Sequence, residues 1–234
     1  MENTTQNSTN DLSHLCQEFR SPAFPGSYFL SFEGIEGAGK STQIAKLSLY
    51  LEEKGYRVLT LREPGGTSFG ERLRSAILNS SNEIHPLAEA HLFASSRAQL
   101  LHEVCLKELE KPGTIIIYDR YLDSSLAYQG HARGLGLDSV LRMHLSFPLH
   151  LVPHLTFYLR IPLETSIQRQ ALRNLPKDYF ESRNEDFHRK LIEGYDQVAE
   201  LFPSRIKQIQ ANVGEDQVYE SIVEAVDNLI SAKD

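Results

Sequence analysis

The sequence predicts an α/β fold in three layers, a five-stranded parallel sheet flanked by helices. Two observations carry that prediction. Five short apolar runs recur along the chain, each followed by a helix-like segment, and such alternation builds a parallel sheet covered on both faces. The first run leads directly into FEGIEGAGKST, residues 32–42, a glycine-rich turn between a strand and an amphipathic helix, as a phosphate-binding loop requires.

The strands are expected at Tyr28–Phe32, Arg57–Leu61, Thr114–Tyr118, His154–Leu159 and Arg205–Ile209. The first helix is expected from Gly39 to Lys54: Ile44, Leu47 and Leu51 share one face, and Gly55 stops it. A long helix starts near Pro86, a good first-turn residue, and runs to about Glu110, ahead of Lys111-Pro112-Gly113. Further helices are expected over 136–146, 162–173, 184–201 and 215–231. Between the second and third of these lies NLPKDYFESR, polar and without clean periodicity, which reads as a lid over about 174–184.

A chain of 234 residues holds one domain with a substantial core. Residues 1–26 read as a polar, disordered extension, punctuated by Pro22 and Pro25-Gly26, and residues 27–234 as a single domain. The net charge of −7 argues against a general nucleic-acid groove. The N-terminus has neither a basic start nor an apolar core, and no run reaches the length of a membrane span, so no membrane partner is expected. The two cysteines, Cys16 and Cys105, fit a reducing cytoplasm. The nine histidines show no metal-ligand spacing.

In the phosphate loop, the glycines let backbone N–H groups of Gly34, Ile35, Glu36, Gly37, Ala38 and Gly39 close around phosphate oxygens, aided by the positive end of the helix. Lys40 is placed to bridge the β- and γ-phosphates, Ser41 to ligate Mg²⁺, and Thr42 completes the ATP-binding stretch. Ligands of open parallel sheets bind beyond the carboxyl ends of the strands. The second strand ends in Arg62-Glu63-Pro64-Gly65-Gly66 and the third in Asp119-Arg120-Tyr121. Asp119 is placed as the Mg²⁺-associated carboxylate. Arg62 and Arg120 exceed what one triphosphate needs beside Lys40, and their forked geometry suits a second phosphate. A phosphorylated acceptor, hence a kinase of a monophosphate, follows. A guanine-reading Asn-Lys-x-Asp is absent from the sequence, which disfavours a GTP switch.

GIEGAGKST, REPGG, HLFASSRAQL, DRYLDSSLAYQG and FHRKLIEGY occur in that order, and with them the chain resembles the thymidylate kinases over about residues 27–230. The resemblance implies a P-loop kinase fold, transfer of the γ-phosphoryl of ATP to dTMP with Mg²⁺, and a homodimer. It implies that Phe93 stacks the thymine while Arg97, one turn on and on the same helix face, hydrogen-bonds it. Ser125 then reads the base, and Tyr128 stands near the sugar, where it excludes a 2′-hydroxyl. Glu36 sits near the acceptor's sugar and phosphate, and Arg62 and Arg120 hold that phosphate. Pro64 and Gln129 belong to the same substrate-binding motifs.

The chain departs from that pattern in the lid. The family neutralises the transferring phosphoryl with an arginine from the phosphate loop or the lid; here the loop has none, and the expected lid position is Tyr179. Arg173 with Arg169 is the expected substitute, Arg183 and Lys177 being weaker candidates. Arg160 stands where the family usually carries Asp. Two other readings stay open: a kinase of another pyrimidine monophosphate such as dUMP, and a nucleotide-binding regulatory protein without transfer.

Overall fold

The structure, a computed structural model, describes residues 12–173 and 178–232. Its five strands are β1 (Tyr28–Glu33), β2 (Arg57–Arg62), β3 (Thr114–Asp119), β4 (Leu155–Arg160) and β5 (Ile206–Gln210). They form one parallel sheet in the order β2-β3-β1-β4-β5. All six residues of β1 are buried, as are the first five of β3, whereas β2 on the edge has only exposed and half-buried positions. Apolar runs without alternation therefore mark the strands covered on both faces.

Helix α1 covers 12–17. It is followed by α2 (Lys40–Glu53), α3 (Ser68–Leu78), α4 (Pro86–Leu100), α5 (Leu106–Leu109), α6 (Leu122–Ser125), α7 (Leu137–Met143), α8 (Leu163–Arg173), α9 (Glu185–Leu201) and α10 (Glu215–Ser231). Two π-helical stretches, Leu101–Cys105 and Leu126–Ala132, join α4 to α5 and extend α6. The chain steps outward from β1 to β2 and then back through β3 to β4 and β5. Right-handed crossovers therefore put α2 on one face of the sheet and the later connections on the other. Helix α10 returns to pack on α2, and α9 packs along the second π-helical stretch.

Register brings three strand ends into line. Phe32 of β1 and Arg62 of β2 both pair with Asp119 of β3. The loop after β1, the Arg62-Glu63 turn and the Asp119-Arg120 turn thus emerge side by side at one sheet edge. The approach there is close: a Cβ on Gly34, whose φ is +130°, would sit 2.5 Å from the Leu159 carbonyl oxygen, so only glycine fits.

Two elements lie outside the pattern the sequence predicts. Helix α3 follows Thr67, whose side chain accepts a hydrogen bond from the Gly70 N–H and caps the helix. Phe69, Leu73 and Ile77 recur at helical spacing along it, although only Ile77 is fully buried. The second is α1. From residue 12 the N-terminal segment does not trail away as a disordered extension but packs on the domain. Leu15 and Phe19 join the core, Phe19 meets Phe202 edge to face at 6.3 Å, and Arg20 pairs with Leu151. Three apolar residues, Leu12, Leu15 and Phe19, lie at helical spacing within a polar composition that hides them. The expectation for residues 1–11 lies outside the described residues, as do 174–177 of the lid.

Phe19→Ala is therefore expected to lower unfolding stability by about 3 kcal/mol, the loss typical of a large aromatic removed from a core. Urea titration checks it; an unchanged midpoint would mean that the segment is not part of the folding unit.

Candidate functional site

The phosphate loop spans the gap between β1 and α2. Gly39 takes a left-handed conformation, φ +94°, immediately before the helix. The Lys40 ammonium folds back into its own loop and donates to the carbonyls of Gly34, at 2.9 Å, and Ile35, at 3.2 Å. Burial, with the neighbouring Arg120 cation, pushes its pKa down to about 8, opposed by Asp119, Glu36 and Glu33. One wall of the adjoining cleft is Gly37, Ala38, Gly39 and Thr42; the opposite wall includes Ala211 and Val213 of the β5–α10 loop.

A second cleft opens on the other side of the loop, and Arg120 is its pivot. Among the described residues it is the one non-glycine residue with positive φ, +71°, a conformation costing about 1–3 kcal/mol. Its guanidinium is held from three sides: Nη2 donates to Glu36 Oε1 at 2.5 Å, and Nη1 donates to Tyr195 Oη at 2.8 Å and Ser124 Oγ at 3.3 Å. Tyr128 Oη also donates to Glu36 Oε1, at 3.0 Å. Burial alone would raise the Glu36 pKa, but Arg120 and Lys40 outweigh it and hold the carboxylate below its ordinary range. Behind this network Glu33 is fully buried, accepting from the Tyr121 N–H at 2.7 Å and Ser124 Oγ at 2.5 Å. Burial, reinforced by Asp123, pushes its carboxyl up to about 8.

Helix α4 supplies Phe93 to the wall of this second cleft, beside Ser125 and Gln129. Arg97 stands directly behind Glu63 and Ser125, which both line the cleft; it is only 1% exposed. It donates to Glu63 Oε2 at 2.7 Å and to Ser125 Oγ at 3.1 Å, and its guanidinium lies over the Tyr121 ring at 4.8 Å. Gln129 Nε2 donates to Glu89 at 2.8 Å, and its buried Oε1 has no partner among the described residues. Glu63 Oε1, also buried, likewise has no partner among the described residues, and burial pushes the Glu63 pKa up to about 7 against the pull of Arg97.

Several predicted residues are thus brought together: Glu36, Phe93, Arg120, Ser125, Tyr128 and Gln129 surround one space, with Pro64 at its rim, while Lys40 stays within its own loop. Arg62 does not join them. It points out of the cleft, more than half exposed, and pairs with Glu71 at 3.2 Å. Arg74 of α3 takes the place on the cleft wall, donating to the Pro64 carbonyl at 3.0 Å. Only recognition of α3 could have revealed it. Arg169 spends its fork on the carbonyls of Gly37, at 2.9 Å, and Ala211, at 3.1 Å, tying the phosphate loop to the β5–α10 loop rather than reaching towards Arg120. The Arg173 side chain lies outside the described residues.

Of the lid, Asp178 and Phe180 line the second cleft. Phe180 stands 6.1 Å from Phe93 and 5.2 Å from Tyr128, centroid to centroid. Tyr179, at the position where an arginine was expected, accepts a hydrogen bond from the Ile84 N–H at 3.2 Å and is capped by Arg183. Arg160 grips Asp196 of α9 with both arms, at 2.8 and 2.9 Å, so its replacement of an Asp is absorbed by an ion pair. Among the described residues no helix is long and apolar enough to cross a membrane.

A family model described as thymidylate kinase matches residues 32–222. The thymidylate kinase of Thermoanaerobacter sp. (strain X514) is 42% identical over 198 residues, which covers 85% of this chain and 96% of that one. The thymidylate kinase of Acholeplasma laidlawii is 44% identical over 200 residues, covering 85% and 98%. Among solved structures, the thymidylate kinase from Ehrlichia chaffeensis superposes with a TM-score of 0.67 at 26% identity, covering 86% of this chain and 99% of that one.

The buried Glu33 predicts a pH dependence. Its folded pKa is raised, so between the ordinary carboxylate value and about 8 the folded state binds the proton that the unfolded state has released. Stability is then highest below about pH 4.5 for this group and falls by up to ~1.4 kcal/mol per pH unit as pH rises through that window. Glu33→Gln is expected to remove that slope in urea titrations at pH 5.5, 6.5 and 7.5. Parallel wild-type and variant profiles would assign the dependence elsewhere.

Proposed function

The chain belongs to the thymidylate kinase family, and from that premise we propose how its two clefts divide the work. The enzyme transfers the γ-phosphoryl group of ATP to dTMP, giving dTDP and ADP. ATP occupies the cleft between the phosphate loop and the β5–α10 loop; dTMP occupies the cleft walled by Phe93, Tyr128 and Phe180. The observation that carries this division is Arg120, clasped between the phosphate loop's Glu36 and the second cleft.

Lys40 exchanges the Gly34 and Ile35 carbonyls for the β- and γ-phosphates. The dTMP phosphate rests on Arg120 and Arg74, which displaces part of the hold of Glu36 on Arg120. Phe93 stacks the thymine, Arg97 reads it from behind Ser125 with Gln129 alongside, and Tyr128 leaves no room for a 2′-hydroxyl. The acceptor phosphate is itself the nucleophile, already anionic near neutrality with a second pKa of about 6, so no general base is required. Alignment and charge neutralisation carry the step. The remaining positive charge for the γ-phosphoryl is assigned to Arg173, since Arg169 is engaged with backbone carbonyls.

The site suits Mg²⁺. The buried Asp119 Oδ1 has no partner among the described residues, and Ser41 lies in the first turn of α2 beside the phosphate loop; hard oxygen donors of this kind match that ion. Ser41 and Asp119 would hold it, and when bound it supplies further neutralisation of phosphate charge. The reaction is placed in the cytoplasm. Exposed Leu87, Leu145 and Phe147 are offered as part of a homodimer contact.

The test is ADP formation from ATP and Mg²⁺ with dTMP, dUMP, dCMP, dGMP and AMP offered singly. Turnover confined to dTMP, with dUMP a poor second, is expected; binding of dTMP without turnover would instead support a regulatory nucleotide-binding protein. Two variants separate the arginines. Arg74→Ala is expected to raise the KM for dTMP about tenfold to a hundredfold, the loss of one charge-assisted hydrogen bond to phosphate. Arg62→Ala should leave KM within a few fold, as its exposed pair with Glu71 is worth at most about 1 kcal/mol. The reverse ranking would return the phosphate to Arg62.

A further inference from the structure

His144 is buried to 0% exposure just after α7 and lies outside every motif that marks the site. Its Nδ1 lies 2.7 Å from the Val140 carbonyl oxygen and its Nε2 lies 2.8 Å from Arg97 Nη1. A carbonyl oxygen only accepts, so Nδ1 carries the proton. A guanidinium only donates, so Nε2 presents its lone pair. Burial, with the Arg97 cation beside it, pushes the imidazole pKa down to about 3, so the ring stays neutral in that one tautomer.

The consequence falls on Arg97. A guanidinium carries five N–H groups in a fixed plane. Nε and one hydrogen of Nη2 face Glu63 Oε2, the other hydrogen of Nη2 goes to Ser125, and one of Nη1 goes to His144. A single Nη1 hydrogen is left without a partner among the described residues. We infer that His144 is a positioning residue for base recognition: by taking one Nη1 hydrogen it fixes the plane of Arg97, so that the other is held for the 4-carbonyl of a pyrimidine in the cleft that Ser125 and Glu63 line. The same donor meets a 4-amino group on cytosine, donor against donor, so the arrangement selects a 4-oxo ring. No residue of the opposing wall could do this in its place, because Glu63 and Ser125 hold Nε and Nη2 and leave Nη1 to His144.

This inference rests on Arg97 reading the base. Arg97→Ala must therefore raise the KM for dTMP without changing that for ATP; failure there would remove the underlying reading. The inference itself is tested by two near-isosteric variants with opposite reach. His144→Gln carries its terminal polar atoms where Nε2 was and keeps an acceptor for Arg97. His144→Asn reproduces Nδ1, the side facing Val140, and falls short of Arg97. The steady-state readout is kcat and KM for dTMP, KM for ATP, and the ratio of dTMP to dCMP turnover at low substrate.

His144→Asn is expected to raise the dTMP KM and to lower the dTMP preference over dCMP, each about tenfold, with kcat and the ATP KM within about twofold. His144→Gln is expected to stay near wild type in all four. Equal kinetics for both variants, with only their melting temperatures lowered, would reduce His144 to a packing residue and overturn the inference. So would an unchanged base preference in His144→Asn. If the Asn variant does not fold, His144→Leu, which also lacks an acceptor for Arg97, takes its place with the same expected result.

Discussion

Arg120 is pinned to Glu36 across 2.5 Å, and the geometry of both clefts depends on that contact. The residue follows β3 in a left-handed backbone, a strain that persists because Glu36, Tyr195 and Ser124 together over-determine the side chain. The clasp joins three elements: the phosphate loop through Glu36, the turn after β3 through the backbone, and α9 through Tyr195. Removing any partner frees a cation beside Lys40, whose own charge is already disfavoured by burial. The charge balance of the phosphate loop and the placement of the acceptor arginine are thus one problem with one solution.

Beneath it lies a buried acidic layer. Glu33 and Asp123 are both fully enclosed. Asp123 is neutralised by the fork of Arg205 at 2.6 and 2.8 Å, whereas Glu33 is left with hydroxyl and amide donors. The unequal pairing explains why burial raises Glu33 so far while its hydrogen bonds still orient Ser124 and Tyr195 towards Arg120. Removal of water strengthens every such contact and penalises every unpaired one, so the network fixes a single arrangement of the acceptor side.

The sheet was legible in the sequence because its inner strands are near-continuous apolar runs, and the site was legible because strand ends in a parallel sheet share one edge. Phe32, Arg62 and Asp119 stand in register for that reason. What failed follows from the same logic. Arg62 ends an edge strand, and the side chain of an edge residue is free to turn outward to Glu71. Helix α3 is short, and its apolar positions Phe69, Leu73 and Ile77 were not read as a helix face, so Arg74 stayed hidden with it. Helix α1 was concealed by polar neighbours, although three apolar residues at helical spacing sufficed to dock it. His144 carried no local signal at all: its role comes from tertiary contact between α7 and α4. In the lid the sequence showed a missing arginine, but only the structure shows Tyr179 turned to the α3–α4 loop.

The central claim is that Arg120 serves the acceptor phosphate through a fork held by Glu36, and that a point charge cannot replace it. Arg120→Lys, assayed for kcat/KM with dTMP and for ATP binding by calorimetry, tests it most directly. The account predicts a fall in kcat/KM of about a thousandfold, within the range for a lost transition-state arginine, with ATP affinity within a few fold of wild type. Activity within tenfold of wild type would show that charge alone suffices and that the clasp with Glu36 does not organise the site.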